Sequence, residues 1–271
     1  MSPLARNDRP CPTQMPDRPV VLVTGAARRL GRHLALHLGR CGYDLAVHLR
    51  RQPDSDGQQL LDELRPLGAR AECFAADLAV EADVESLVPR VLASLGRLDA
   101  VVNSASLFSD DDVNSLSYDS LQRHLLPNCG APLLLARALH RHCEQAERTG
   151  CVVNVLDQKL WNPNPDHLSY TLSKAALESA TGLLARALAP RLRVVGVALG
   201  VTLPSGPMTE AEFQAAHRMT PLGRSSTADD FADAVAFLLR SPAITGTTLL
   251  VDGGQHLAAQ PRDVFHLLKE S

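Results

Sequence analysis

Aromatic side chains are scarce in this chain: of 271 residues, 1 is Trp, 3 are Tyr and 6 are Phe. That shortage excludes an array of stacking platforms for single-stranded nucleic acid. An excess of one charge is also missing, since 27 Lys and Arg stand against 30 Asp and Glu, a formal net charge of -3. Nothing in that balance draws the chain to nucleic acid or to an anionic membrane. No apolar run approaches the roughly 20 residues of a membrane span. The 6 cysteines, at positions 11, 41, 73, 129, 143 and 151, include no CxxC pair. Such usage fits free thiols in a reducing compartment better than a disulfide framework, and the expected address is the cytoplasm. His140, His142 and Cys143 lack a second ligand pair at zinc spacing, so a solvated helix face is expected there and no metal. The first 18 residues lack the hydrophobic stretch of a secretory signal and are rich in Pro, Asp and Arg. They are expected to form a disordered lead-in to a single domain over residues 19–271.

What is present is ordinary for a globular chain: 45% hydrophobic and 21% charged residues, enough to bury a sizeable core. Short uninterrupted apolar runs recur at Val20–Val23, Asp44–Leu49, Ala71–Phe74, Leu98–Val102, Cys151–Val155, Val194–Ala198 and Leu249–Val251. Runs of that kind read as strands buried on both faces. Between them, Arg32–Cys41, Glu81–Leu95 and Leu172–Leu188 carry apolar residues at helical spacing. Alternating strands and helices predict an α/β fold, a doubly wound parallel sheet of Rossmann type with helices on both faces. Residues Thr202 to Thr220 break this rhythm and are either a mobile lid or an ordinary connection.

The first strand runs directly into Thr24-Gly25-Ala26-Ala27-Arg28-Arg29-Leu30-Gly31. A glycine turn that opens a helix points backbone N–H groups and the positive helix end at a pyrophosphate. The second strand ends at His48-Leu49-Arg50-Arg51 with no Asp or Glu, where an acid would bond the ribose 2′-hydroxyl of NAD. Two arginines there favour the 2′-phosphate of NADP(H), unless they are only a basic surface pair. Asp77-Leu78 and Asn103-Ser104-Ala105-Ser106 follow the third and fourth strands, at the sheet end where such folds bind ligands. Tyr170 and Lys174 are spaced i and i+4, so on a helix the phenol and the ammonium share a face. A cation beside a phenol favours phenolate and makes its hydroxyl the better proton donor.

These residues resemble the short-chain dehydrogenase/reductase family from about Val20 to Gly254. The match rests on the glycine turn, Asp77, an NSAS version of the NNAG motif, Asn128, YxxxK and the closing Val251-Asp252-Gly253-Gly254. Two positions depart from the family pattern. Arg29 stands at the usual middle glycine of the turn, and Asp157 stands where a Ser precedes the catalytic Tyr by thirteen residues. A carboxylate at 157 would repel a developing alkoxide, which is poor design for ketone reduction. It suits a ring whose nitrogens are protonated or held. Both departures, with Asn103-Ser104-Ala105-Ser106-Leu107-Phe108, resemble the pteridine reductase and dihydromonapterin reductase branch.

That resemblance implies Asp157, Tyr170, Lys174 and Asn128 as the catalytic group, with Asn128 supporting the Lys through water. It implies cofactor contacts from Gly25, Arg29, Leu30, Gly31, His48, Arg50, Arg51, Asp77, Leu78, Asn103, Ala105, Ser106, Tyr170, Lys174 and Gly200. The substrate side falls to Arg29, Ser106, Phe108, Asp157 and Tyr170, with Phe108 stacking a pterin against the nicotinamide. Phe108 as a core aromatic and Asp157 as a structural carboxylate are the plainer readings of those two residues. The activity implied is NADPH-dependent reduction of a pterin or folate by a homotetramer. The rivals are a carbonyl reductase, such as a 3-oxoacyl thioester reductase, which expects Ser at 157, and a non-enzymatic nucleotide-binding regulator, which expects a lost Tyr or Lys.

Overall fold

The computed structural model describes residues 18–51, 55–204 and 208–267. Seven strands form one parallel sheet: β1 (Val20–Val23), β2 (Asp44–Leu49), β3 (Ala71–Ala75), β4 (Ala100–Asn103), β5 (Gly150–Asp157), β6 (Leu192–Leu199) and β7 (Thr248–Val251). Their order is β3-β2-β1-β4-β5-β6-β7. Among the described residues the helices are α1 (Arg29–Arg40), α2 (Ser55–Leu64), α3 (Glu81–Leu95), α4 (Tyr118–Leu125), α5 (Ala131–Gln145), α6 (Leu168–Ala187), α7 (Glu210–Arg218), α8 (Ala228–Arg240) and α9 (Val264–Leu267). No helix there is long and apolar enough to cross a membrane.

Every residue of β1, β2 and β4 is buried, which is why these strands read as unbroken apolar runs rather than as alternation. On one face of the sheet, Leu34 and Leu38 of α1 pack with Leu60 of α2 and with Phe231 and Val235 of α8. On the other, Leu87 and Val91 of α3 pack with Leu135 and Leu139 of α5. Each such side chain contributes roughly 1.5–3 kcal/mol by leaving water. The chain reverses its winding between β1 and β4, so a crevice opens at their carboxyl ends.

Three expectations change. Arg18 is not part of a disordered lead-in, because its guanidinium donates to the carbonyls of Gly39 (2.7 Å), Tyr43 (3.2 Å), Leu67 (3.2 Å) and Gly68 (2.8 Å). The rest of that lead-in, residues 1–17, lies outside the described residues. The fourth strand begins at Ala100 rather than Leu98, and just before it the Asp99 carboxylate accepts from Val20 N–H at 2.7 Å and from Arg97. Cys143 belongs to no solvated face: it is 1% exposed, and burial pushes its thiol up to about 11. Within the stretch from Thr202 to Thr220 lies helix α7, started by a capping box in which Thr209 and Glu212 exchange hydrogen bonds. Residues 205–207 of that stretch lie outside the described residues.

Candidate active site

The glycine turn is held from three sides. Gly25 has φ +66°, and a Cβ there would lie 3.2 Å from the Ala105 backbone after β4. A Cβ on Gly31 would come within 2.2 Å of the Gly25 carbonyl oxygen, so only glycine lets the first turn of α1 press on the loop. His48 braces the same turn: Nδ1 accepts from Gly25 N–H at 3.0 Å and Nε2 faces the Ala76 carbonyl at 3.0 Å. Both ring nitrogens are therefore committed to backbone, which makes His48 a support for the turn rather than a donor to a cofactor. Burial pushes its pKa down, keeping it neutral. The first turn of α1 carries no acid and no side-chain cap, so its N–H groups are left to an anion.

A cavity of about 410 Å³ opens beside this turn, lined by Gly25, Ala27, Arg28, His48, Leu49, Arg50 and Arg51. Three arginines line it, not the two expected from the end of β2. Arg28 was hidden inside the turn motif, and it also pairs with Asp56 of α2. Arg50 is shared, its guanidinium 3.0 Å from Asp77 Oδ2. The Ala79 N–H and then Arg50 hold the Asp77 carboxyl below its ordinary range. Arg51 forms no ion pair among the described residues. The glycine cradle, the uncapped helix start and the three cations suit a phosphorylated dinucleotide.

Other expected cofactor contacts divide into rim and scaffold. Ala105 N–H donates to Thr24 Oγ1 at 3.0 Å, tying the loops after β1 and β4 together. Leu30 packs against the core, and Leu78 is 8% exposed in the opposite core, so each supports the rim from beneath. Asn103 is buried and its amide donates to Asn154 Oδ1 at 2.8 Å, linking β4 to β5. Ser106 is exposed on the rim. Gly200 ends β6 under a tight lid of side chains, where a Cβ would meet Ser225 Oγ at 2.4 Å. Arg29, at φ +51°, donates to the Pro204 carbonyl at 2.7 Å and so ties the turn to the segment after β6.

The reactive group forms where β5 ends and α6 begins. Tyr170, in the first turn of α6, donates its hydroxyl to Asp157 Oδ2 at 2.9 Å. Asp157 is the last residue of β5, and its Oδ1 accepts from Lys159 N–H at 2.9 Å. Lys174 lies one turn after Tyr170, 5.9 Å from the phenol ring centre, and donates to the Val155 carbonyl at 2.8 Å. Phe108 sets its ring edge-on to Tyr170 at 4.8 Å and remains 47% exposed, so it is not a core aromatic. Asn128 lies in a π turn, Leu126–Gly130, where the widened backbone accommodates Pro127. Its side chain accepts from Leu107 N–H at 2.7 Å and donates to the Leu107 carbonyl and to Ser173 Oγ. Asn128 thus fixes the Phe108 loop and reaches Ser173, the residue before Lys174.

Electrostatics differ here from the simple picture of a lysine acidifying a phenol. Burial, and next the Asp157 charge, push Tyr170 well above its ordinary value. Burial brings Lys174 down to about 8, opposed by Asp157. Burial also raises Asp157, with the Lys159 N–H, the Tyr170 hydroxyl and the Lys159 charge pulling the other way. The cation that most restrains this carboxyl is therefore Lys159. Lys159 is 3% exposed, with Nζ bonded to the Asp166 carbonyl and 3.8 Å from Asp263 Oδ2. The C-terminal segment supplies Asp263, docked by Arg262 on the Asp166 carboxylate at 2.9 Å and by Asp263 N–H on the same group at 2.7 Å. Lys159, Asp166 and Asp263 carry no motif, and the contacts of the first two with the C-terminal segment cross 96 residues or more of chain, so sequence spacing does not reveal them.

A family model described as enoyl-(acyl carrier protein) reductase matches residues 25–256. The chain belongs to the short-chain dehydrogenase/reductase family. It is an oxidoreductase of that family. It is 32% identical over 254 residues to a protein of Streptomyces violaceoruber described as ketoacyl reductase 2 of the granaticin polyketide synthase, covering 90% of this chain and 99% of the relative. It is 30% identical to a dihydromonapterin reductase of Escherichia coli, covering 88% of this chain and 96% of the relative. Among solved structures it is similar to FolM alternative dihydrofolate reductase 1 of Brucella canis, complexed with NADP, with a TM-score of 0.82 and 37% identity. That likeness covers 89% of this chain and 95% of the other.

Proposed function

We propose that this enzyme is an NADPH-dependent reductase of pterins, acting on dihydropterins of the dihydromonapterin and dihydrofolate kind or on oxidised pterins. The observation that carries this reading is the hydrogen bond from Tyr170 to Asp157, which puts a proton-exchanging carboxyl where ketone reductases of the family place a neutral hydroxyl. The relatives named as dihydromonapterin and alternative dihydrofolate reductases support it. The glycine turn with Arg28, Arg50 and Arg51 would hold NADPH, which would supply the hydride.

The chain's own residues provide the rest. Phe108 offers a flat face against which a pterin ring stacks. Asp157 accepts from and returns protons to the aminopyrimidinone edge, its raised pKa bringing the exchange nearer neutrality. Tyr170 passes a proton between Asp157 and the ring, while Lys174 positions the nicotinamide ribose. By family resemblance a 7,8-dihydropterin takes hydride at C6 and a proton at N5. A fully oxidised pterin takes hydride at C7, with Tyr170 as donor. For the assembly we propose a homotetramer, supported by the resemblance and by exposed apolar side chains on the edge strand β7, Leu249, and on α8, Phe237.

The ketoacyl reductase relative favours a second reading, reduction of a 3-oxoacyl thioester. Asp157 argues against it, because a carboxylate opposes the alkoxide that such a reduction develops. A regulator without activity is disfavoured by the intact and adjacent Tyr170 and Lys174. The test is NADPH oxidation with dihydromonapterin, dihydrobiopterin, dihydrofolate, quinonoid dihydropterin and simple ketones. Turnover confined to ketones would refute the proposal.

A further inference from the structure

Beyond the Asp157–Tyr170 pair, three ligand-bearing side chains from separate parts of the chain meet on the outer side of Phe108. Asp110 follows Phe108 in the loop after β4, His167 caps the start of α6, and His266 lies on α9 in the C-terminal segment. Each offers one ligand atom, and the three atoms lie within 4.8 Å of one another. Asp110 is exposed, His167 is buried and His266 lies between those extremes.

His167 is held at the centre of the group. It adopts φ 53° and ψ 52°, a left-handed conformation that is costly for a residue with a Cβ. Its ring lies 4.4 Å from that of Phe108 and 6.0 Å from that of His266. Its Nδ1 is 3.3 Å from the Ser109 carbonyl and 3.4 Å from Asp110 Oδ1.

We propose that Asp110, His167 and His266 form a binding site for a divalent transition ion of the Zn2+ kind, which pins the C-terminal segment to the loop carrying Phe108. Two imidazoles and one carboxylate, with room for water, are the donor set of borderline ions. Ca2+ and Mg2+ require more oxygen ligands than this group offers. Tetrahedral Zn2+ with bonds of about 2.0–2.2 Å sets its ligand atoms about 3.4 Å apart. Closing that difference requires rotation of the exposed Asp110 side chain and a small shift of α9.

The ion would have a structural consequence for the reactive group. Asp263, which faces Lys159 across 3.8 Å, lies three residues before His266 on the pinned segment. Fixing His266 therefore fixes the charge that stands behind Asp157. No step of reduction passes through the ion, and its detection does not depend on which substrate the enzyme takes.

The experiment uses the full chain without an affinity tag, freed of metal by a chelator, and titrates Zn2+ by calorimetry. Hydrogen exchange of residues 260–267 is followed in the same samples. The expected result is one equivalent bound in the micromolar range or tighter, weakened about tenfold or more by His266→Ala and by Asp110→Asn. Exchange in 260–267 slows severalfold when Zn2+ is added to the wild type and is unchanged in His266→Ala. Absence of binding, binding indifferent to both substitutions, or exchange indifferent to the ion each overturns the proposal.

Discussion

Tyr170 and Asp157 share a proton site: the phenol hydroxyl donates to Asp157 Oδ2 at 2.9 Å, with the other carboxylate oxygen on Lys159 N–H. The pairing lets one group hold a proton as the other passes one on. It also explains why Tyr170 rises so far, since burial and then the Asp157 charge oppose the phenolate, while Asp157 is raised by burial and drawn back by the Tyr170 hydroxyl. Lys174, at about 8, is too far committed to the Val155 carbonyl to dominate the phenol.

Tyr170→Phe removes the donor without disturbing the dinucleotide cradle. NADPH affinity should remain near the wild-type value, and turnover of a fully oxidised pterin should fall roughly 10²–10⁴-fold. Reduction of a dihydropterin, where water can protonate N5, should suffer less. Near-full turnover of the variant on every substrate would remove Tyr170 from the reaction.

Lys159→Met tests the buried cation behind Asp157. Its charge favours the carboxylate, so removing it, with Asp263 still nearby, moves the Asp157 pKa further up. Activity that depends on protonated Asp157 declines as pH rises through that pKa. The declining limb of the pH profile should therefore move to higher pH in the variant. A limb set by Lys174, near pH 8, should stay in place. An unchanged profile with wild-type kcat would show that Lys159 is only structural.

The cavity arginines differ in their expected effect on cofactor choice. Arg50 already faces Asp77 at 3.0 Å, so part of its charge is compensated. Arg51 should then cost more than Arg50 when changed to Ala. A charge-assisted contact contributes roughly 1.5–3 kcal/mol, about ten- to over a hundredfold in NADPH affinity. NADH affinity should hardly change. Titration of the apoprotein checks this, and wild-type protein that binds both cofactors equally would contradict the 2′-phosphate pocket.

Much of this architecture is visible in the sequence for a definite reason. Strands such as Val20–Val23 are covered on both faces, so burial writes itself as an unbroken apolar run. Tyr170 and Lys174 are legible because one helical turn joins them. Leu98 misleads, because an apolar residue beside β4 looks like strand while the Asp99 carboxylate is used to bind Val20 N–H. Arg18 misleads for the opposite reason: one long side chain in a polar lead-in is captured by four carbonyls from distant loops. Lys159 and the segment Gln260–His266 are illegible, since nothing local in either stretch signals their meeting at Asp166.

The most direct test of the account compares kcat/KM for a 7,8-dihydropterin and for a 3-oxoacyl thioester, in the wild type and in Asp157→Ser, with NADPH saturating. The wild type should prefer the dihydropterin, and Asp157→Ser should lower that activity strongly while leaving NADPH binding intact. Wild-type turnover of the thioester above that of every pterin tested would contradict the pterin assignment and leave Asp157 as a structural carboxylate.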